Sequence, residues 1–296
     1  MKHVSNSESG RPVNSSEKIE LTLLQISDLH FGPPYIEAIG EAVLRISPGL
    51  NPDAVIISGD LTQRAKRSQF EAAKVFLGRL PSVPQLVIPG NHDVPLYRIY
   101  ERMVNPHGLY CEIISPDLNP VLKLRNAVIA GIDSTAPHSA ISNGRIFKSQ
   151  LDACENVFRN APDEAIRIVV AHHHFAPAPD YLRDSNMPKA RRAMERFEDM
   201  HVELILGGHL HRAYIGNSLD FYPGKHRDRG IIIAQCGTTT SRRGRGREVE
   251  KNSLNLIEIR NSTITITHYM YFHESDSFEA FSRHTFRRSS GKLNSR

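Results

Sequence analysis

The chain has 296 residues, 40% of them hydrophobic and 23% charged, with a net charge of +5 when histidine is counted neutral. That is the balance of a globular protein long enough to bury a sizeable core, as one large domain or two small ones. No run approaches the roughly 20 continuous apolar residues of a membrane helix, and Cys111, Cys154 and Cys236 are too far apart and too few for a disulfide framework or a thiolate zinc site.

Met1–Lys18 is polar, rich in Ser and Asn, and has no apolar centre. It is not a secretory signal, so residues 1–18 are expected to form a disordered leader, with the cytoplasm as the default location. Leu21–Ser27 reads as a buried strand and Tyr35–Ile46 follows with helical spacing. Asp53–Ser58 is the next strand, Ser68–Leu80 a helix stopped by Pro81, and Gln85–Ile88 a third strand. Val121–Ile132 is strand-like, with a hairpin break near Arg125 and Asn126. Ser149–Arg159 is helical, Ile166–Ala171 is a buried strand, Pro188–Met200 is a helix basic on one face, and Val202–Leu206 is a strand. The last third turns to β, with Gly230–Gln235, Asn255–Ile259 and Thr263–Tyr271, the last two joined by a turn at Asn261 and Ser262.

Apolar runs rich in Val and Ile, alternating with helices, indicate sheets covered on both faces. Two packed sheets with helices outside accommodate the pattern in one domain over residues 19–273. Val94–Asn119, Ala176–Met187 and Tyr214–Arg229 are long, rich in Pro, Gly and charge, and read as functional or mobile loops. The tail, residues 274–296, holds Arg283, Arg287, Arg288, Lys292 and Arg296 and is expected to be solvated and disordered.

The chemistry sits after the strands. Asp28-Leu29-His30 follows the first, Gly59-Asp60 the second, and Gly90-Asn91-His92-Asp93 the third. His172-His173-His174 follows Ile166–Ala171, and Gly207-Gly208-His209-Leu210-His211 follows Val202–Leu206. Strand carboxyl ends meet at one edge of an α/β sheet, where such folds place their sites. Asp, Asn and His are ligands for borderline divalent metals. The spacing in Asp28-x-His30 and His209-x-His211 puts both side chains of each pair on one face of an extended segment. Taken singly, each of these residues reads as a turn residue or helix cap; structural needs do not explain five such blocks in succession.

The set DLH, GD, GNHD, HH and GHLH resembles the calcineurin-like metallophosphoesterases over roughly residues 20–260. The wording "GDLTQRAKRSQFEAA", "VIPGNHDVPLY" and "QCGTTTSRRGRG" is similar to a bacterial branch related to class III cyclic-nucleotide phosphodiesterases. The resemblance implies a four-layer αββα sandwich of two mixed β-sheets flanked by helices. It also implies two divalent metal ions (Mn, Fe or Zn) with a bridging hydroxide as nucleophile. Asp28, His30 and His211 would hold the first ion, and Asn91, His209 and one histidine of the triple the second, with Asp60 bridging. Aligning Phe175 with the hydrophobic residue that follows the family's His-His-Pro makes His172 the first choice and His173 the second. His92 would bind a phosphate oxygen or protonate the leaving group, and Asp93 would orient His92.

Asp133 reads as a turn cap or as a partner behind the site, and Cys236 as a small buried residue. His107, His138, His201, His226, His268 and His273 read as surface or packing residues. The arginine-rich run Ser241–Arg247 would either grip a phosphate or form a solvated loop. The expected partner is a phosphorylated small molecule, with a phosphodiester first and a cyclic nucleotide as the named candidate. A nucleotide–lipid pyrophosphate is the alternative, which would call for an apolar face near the site. A nuclease ranks below these, because no aromatic residues interleave with the arginines, and a non-enzymatic metal-holding scaffold comes last.

Overall fold

A computed structural model describes residues 18, 20–138, 143–177, 186–222, 230–244 and 251–288. The leader up to Glu17, the arginines Arg245 and Arg247 and the end of the tail from Ser289 lie outside these residues.

The first sheet is built from β1 (Leu21–Ile26), β2 (Ala54–Ile57), β3 (Gln85–Val87), β10 (Ser253–Ile259), β11 (Thr263–Phe272) and β12 (Ser277–Arg287). Its order is β12-β11-β10-β1-β2-β3, parallel along β1, β2 and β3 and antiparallel elsewhere. The second is built from β4 (Val121–Leu124), β5 (Ala127–Ile132), β6 (Ile166–Ala171), β7 (Leu204–Gly207), β8 (Tyr214–Asn217) and β9 (Ile232–Gln235), in the order β4-β5-β6-β7-β9-β8. It is parallel along β5, β6, β7 and β9, with β4 and β8 antiparallel at its two edges.

Alternation along the strands makes the layers. Leu23, Ala54 and Ile56 face the second sheet and pack with Ile129, Ile168, Leu206, Ile257 and Ile266. Their neighbours Leu24, Ile26, Val55 and Ile57 face the other way, against α1 (Glu37–Ile46) and α2 (Arg67–Leu77) through Ile39, Val43, Phe70 and Phe76. On the far side Val169 and Ile205 pack against α5 (Lys148–Arg159) and α6 (Ala190–Asp199) through Leu151, Phe158, Met194 and Phe197. The result is the expected four-layer αββα sandwich of two mixed sheets.

Two expectations need correction. The tail is ordered from residue 274 to Arg288, and β12 pairs with β11 from Thr263↔Arg287 to Phe272↔Ser277, extending the first sheet past residue 273. Charge marked the segment as solvated, but it is an exposed edge strand, where Glu, Arg and His on the outer face are normal. Its arginines are also engaged: Arg283 pairs with Glu258 at 2.8 Å and Arg288 with Glu203 at 3.0 Å. Val94–Asn119 is not a bare loop either, since it carries α3 (Ile99–Val104) and α4 (Gly108–Ile113). Tyr214–Arg229 likewise begins with β8 and α7 (Ser218–Phe221). Among the described residues no helix is long and apolar enough to cross a membrane.

Candidate metal centre

The five blocks meet at the carboxyl edge of the parallel strands. Asp28, His30, Asp60, His209 and His211 all have left-handed backbone conformations, with φ of 53°, 51°, 55°, 73° and 52°. Asp, Asn and His are the non-glycine residues most tolerated there, yet each such position costs on the order of 1 kcal/mol and persists only when its surroundings impose it. Here the strand ends impose it. The ladder of β1 and β2 continues past the strands as Asp28 N–H to Gly59 O (3.0 Å) and His30 N–H to Asp60 O (3.0 Å), and Gly208 N–H donates to His172 O at 3.1 Å. Gly90 and Gly208 are needed for close approach: a β-carbon at Gly90 would strike Asp60, and one at Gly208 would strike Ser27 and Asp28.

Asp28, Asp60, His172 and His211 each have one end tied to the protein and the other left facing their neighbours. Oδ2 of Asp28 accepts from Ser27 Oγ (2.6 Å) and His209 N (3.1 Å), leaving Oδ1. Oδ1 of Asp60 accepts from His92 N at 2.8 Å, leaving Oδ2. Nδ1 of His172 donates to Ser58 O and Nδ1 of His211 to Arg243 O, both at 2.8 Å, leaving each Nε2. Asp28 Oδ1 and Asp60 Oδ2 are buried and accept no hydrogen bond. A buried carboxylate oxygen without a donor is costly unless a cation faces it.

The free ends form two groups. In one, ligand atoms of Asp28, His30, Asp60 and His211 all lie within 4.8 Å of one another. Nε2 of His211 is 3.1 Å from Asp28 Oδ1 and 3.0 Å from Nε2 of His30. In the other, Asn91 Oδ1 stands 3.2 Å from His172 Nε2 and 2.9 Å from His209 Nδ1. Oδ2 of Asp60 touches both groups, 3.6 Å from His30 Nε2 and 3.4 Å from His172 Nε2. Ligand bonds of roughly 2.0–2.2 Å to a divalent metal place neighbouring donor atoms at about these separations, so the residues fit the expected ions.

Protonation fits as well. Burial alone would raise the carboxyls of Asp28 and Asp60, but the histidines around them outweigh it and hold both below the ordinary carboxylate range. Burial pushes His30 down to about 4 against the pull of Asp28 and Asp60, and pushes His209 well below its usual value with help from His172. His172 is the exception: Asp60, Asp28 and the Ser58 carbonyl overcome its burial and raise it to about 9. Ionised carboxylates with neutral imidazoles are the ligand-ready state, and a cation beside His172 takes the place of that proton.

The model for calcineurin-like phosphoesterases matches residues 21–213. The chain belongs to the calcineurin-like phosphoesterase family. It is therefore a metal-dependent phosphoester hydrolase. A probable cyclic nucleotide phosphodiesterase of Synechococcus is 25% identical over 224 residues, covering 71% of this chain and 81% of that protein. A glycerophosphodiester phosphodiesterase of Enterobacter lignolyticus is 36% identical over 83 residues, which is 25% of this chain and only 30% of that protein. A purple acid phosphatase from yellow lupin seeds shares the fold, with a TM-score of 0.69 at 12% identity over 90% of this chain and 54% of that one.

Of this chain's three adjacent histidines, where the family shows His-His-Pro, the one that reaches the cluster is His172. Alternation turns His173 away, onto Ser134 Oγ at 2.8 Å, while His174 lies flat against His209. Asp93 does not orient His92. Its carboxylate accepts from the backbone N–H groups of Leu61 (3.1 Å), Thr62 (2.8 Å) and Gly90 (2.9 Å) and from Thr62 Oγ1 (3.0 Å), so it ties the GNHD turn to the segment after β2. The His92 ring is held instead by the Gln63 carbonyl, 3.0 Å from Nδ1. Asp133 caps its own turn by accepting from Thr135 N at 2.9 Å, and also faces the buried His107 at 3.5 Å. Cys236 is buried among backbone carbonyls of Gln25 and Ser253. Sequence reading missed Ser27 and the carbonyls of Ser58, Gln63 and Arg243. A serine beside an aspartate is a weak signal, and a carbonyl has none.

Proposed function

We propose that this family member is a phosphodiesterase working with two divalent ions, Mn, Fe or Zn, with a cyclic nucleotide as the first substrate to test. The observation that supports it most is the Asp60 Oδ2 atom shared between the two ligand groups, 3.6 Å from His30 and 3.4 Å from His172. Asp28, His30 and His211 would hold one ion, Asn91, His172 and His209 the other, and Asp60 both. Such a pair of ions supplies the Lewis acidity that polarises a phosphate and activates water near neutral pH. Beside the cluster lies a cavity of about 340 Å³ lined by Asp60, Asn91, His92, His209, His211 and Arg243, among others. His92 opens into it and would meet a phosphate oxygen or the leaving oxygen. The names of the Synechococcus and Enterobacter relatives support a diester substrate, and the first supports a cyclic nucleotide.

The test is a rate comparison on protein reloaded with Mn(II), using bis-p-nitrophenyl phosphate, p-nitrophenyl phosphate and cyclic AMP. Faster turnover of the diester and of cyclic AMP is expected. Turnover of the monoester alone would overturn the diester reading.

One observation favours a second reading. Val94 and Leu96 line the cavity, and α3 next to them buries none of its residues, with Tyr97, Ile99 and Tyr100 exposed to 74%, 71% and 79%. That apolar shelf is what a nucleotide–lipid pyrophosphate or another amphiphilic ester calls for. Long-chain glycerophosphodiesters turned over faster than short-chain ones would favour it, and equal rates would dismiss it. The nuclease reading loses support, because Arg283 and Arg288 are engaged with Glu258 and Glu203.

A further inference from the structure

Arg243 lies 32 residues past His211 in the chain and directly against it in space. The segment that carries it is pinned over the cluster. Ser241 bridges to Tyr35, Arg242 N–H donates to Pro34 O at 3.0 Å, and Asn252 Nδ2 donates to Ser241 O at 2.9 Å. Held this way, Arg243 does two separate things. Its carbonyl accepts from His211 Nδ1 at 2.8 Å, which aims Nε2 of His211 at Asp28 and His30. Its guanidinium lines the cavity beside Asn91, His92 and His209. There Nη1 stands 3.0 Å from Gln63 Oε1 and lies across the His92 ring, 3.0 Å from Nε2 and 3.4 Å from Nδ1.

A guanidinium only donates hydrogen bonds. Nδ1 of His92 carries the hydrogen that goes to the Gln63 carbonyl, so the guanidinium covers a ring whose Nε2 is the nearer nitrogen and offers it a lone pair. Gln63 Oε1 and His92 Nε2 are neutral, single-point acceptors. A phosphate offers two charged oxygens at the spacing of the guanidinium fork, and charge-assisted, bidentate bonds are roughly twice as strong. An anion entering the cavity is thus the better partner for a group already within reach of it.

We propose that Arg243 binds the phosphate of the substrate, moving off Gln63 and His92 when the phosphate enters and so leaving His92 Nε2 facing the reacting group. The inference rests on the phosphoester reading above. Arg243 transfers no proton in this scheme; it holds the anion, and in the empty cavity it caps His92.

The two roles of Arg243 can be separated, because a side-chain variant keeps the carbonyl that positions His211. Arg243→Gln and Arg243→Lys would be assayed for Mn content, for kcat and KM on bis-p-nitrophenyl phosphate, and for inhibition by inorganic phosphate. Wild-type metal content is expected in both. In Arg243→Gln, KM and the phosphate inhibition constant should rise roughly 10–100-fold, the weight of a charged hydrogen bond. Arg243→Lys should fall between, since an ammonium lacks the fork, and added guanidinium ion should restore part of the loss in Arg243→Ala. Unchanged phosphate inhibition and KM in Arg243→Gln would overturn the proposal, as would loss of metal from both Gln and Lys variants. If the wild type turns over no phosphoester, the phosphoester reading fails, and calorimetry of inorganic phosphate binding to Mn-loaded wild type and Arg243→Gln decides the Arg243 inference separately.

Discussion

Oδ2 of Asp60 lies 3.4 Å from Nε2 of His172 and accepts no hydrogen bond, although both side chains are buried. A cation between the two atoms would take the place of the proton that Asp60 helps His172 to hold. Asp60→Ala is therefore expected to lose bound metal and nearly all hydrolysis, a loss well beyond the roughly 10–100-fold typical of outer partners of a metal site. Metal analysis alongside the diester assay checks it. Adding Mn(II) should raise the melting temperature of the wild type but not of the variant, because only a state that binds the ion gains from it. Full metal content with normal activity in Asp60→Ala would remove Asp60 from the bridging position.

His92 touches the cavity without joining either ligand group. His92→Ala should keep its metal and lose roughly 10² to 10⁴-fold in rate, the range for a general acid or base. Loss of metal instead would make His92 a ligand.

Asp93 accepts four hydrogen bonds within the fold and none from His92. Asp93→Ala strands buried N–H donors, and it should destabilise the protein by about 3 kcal/mol or more. Asp93→Asn keeps one acceptor oxygen and should lose less. Urea unfolding of both variants measures the difference. An Asp93→Ala protein as stable as wild type would contradict the structural role.

His268 on β11 faces Asn255 of β10 through Nδ1, and burial, reinforced by His284, lowers it from 6.5 to about 4. Between those values the unfolded chain binds a proton that the folded chain refuses. The stability from this residue is thus present above pH 6.5 and lost as pH falls toward 4, on the order of 3 kcal/mol over the whole window. His268→Gln should flatten that part of the pH dependence. Urea midpoints of metal-free wild type and variant at pH 7 and pH 4.5 test it, and equal losses in the two would show that other groups carry the effect.

The sequence by itself marked every strand but β8 and β12, and seven ligand-type residues, because each rests on a local pattern, and the resemblance those residues carry implied the sandwich. Apolar runs of Val and Ile mark strands covered on both faces, and Asp28, Asp60, Asn91, His172 and His209 follow directly on such runs or on the short turns that end them. What only the tertiary structure decided was which groups meet. His172 rather than His173 faces the cluster because β6 packs with that face toward Ser58, 114 residues away. Asp93 finds Thr62 rather than His92, and His211 finds the Arg243 carbonyl, through sheet register and loop placement. Strand β12 hid behind its charges, because an edge strand buries too little apolar surface to stand out. A backbone carbonyl is the same in every residue, so its choice of partner is fixed by the folded backbone and by no side chain that the sequence displays.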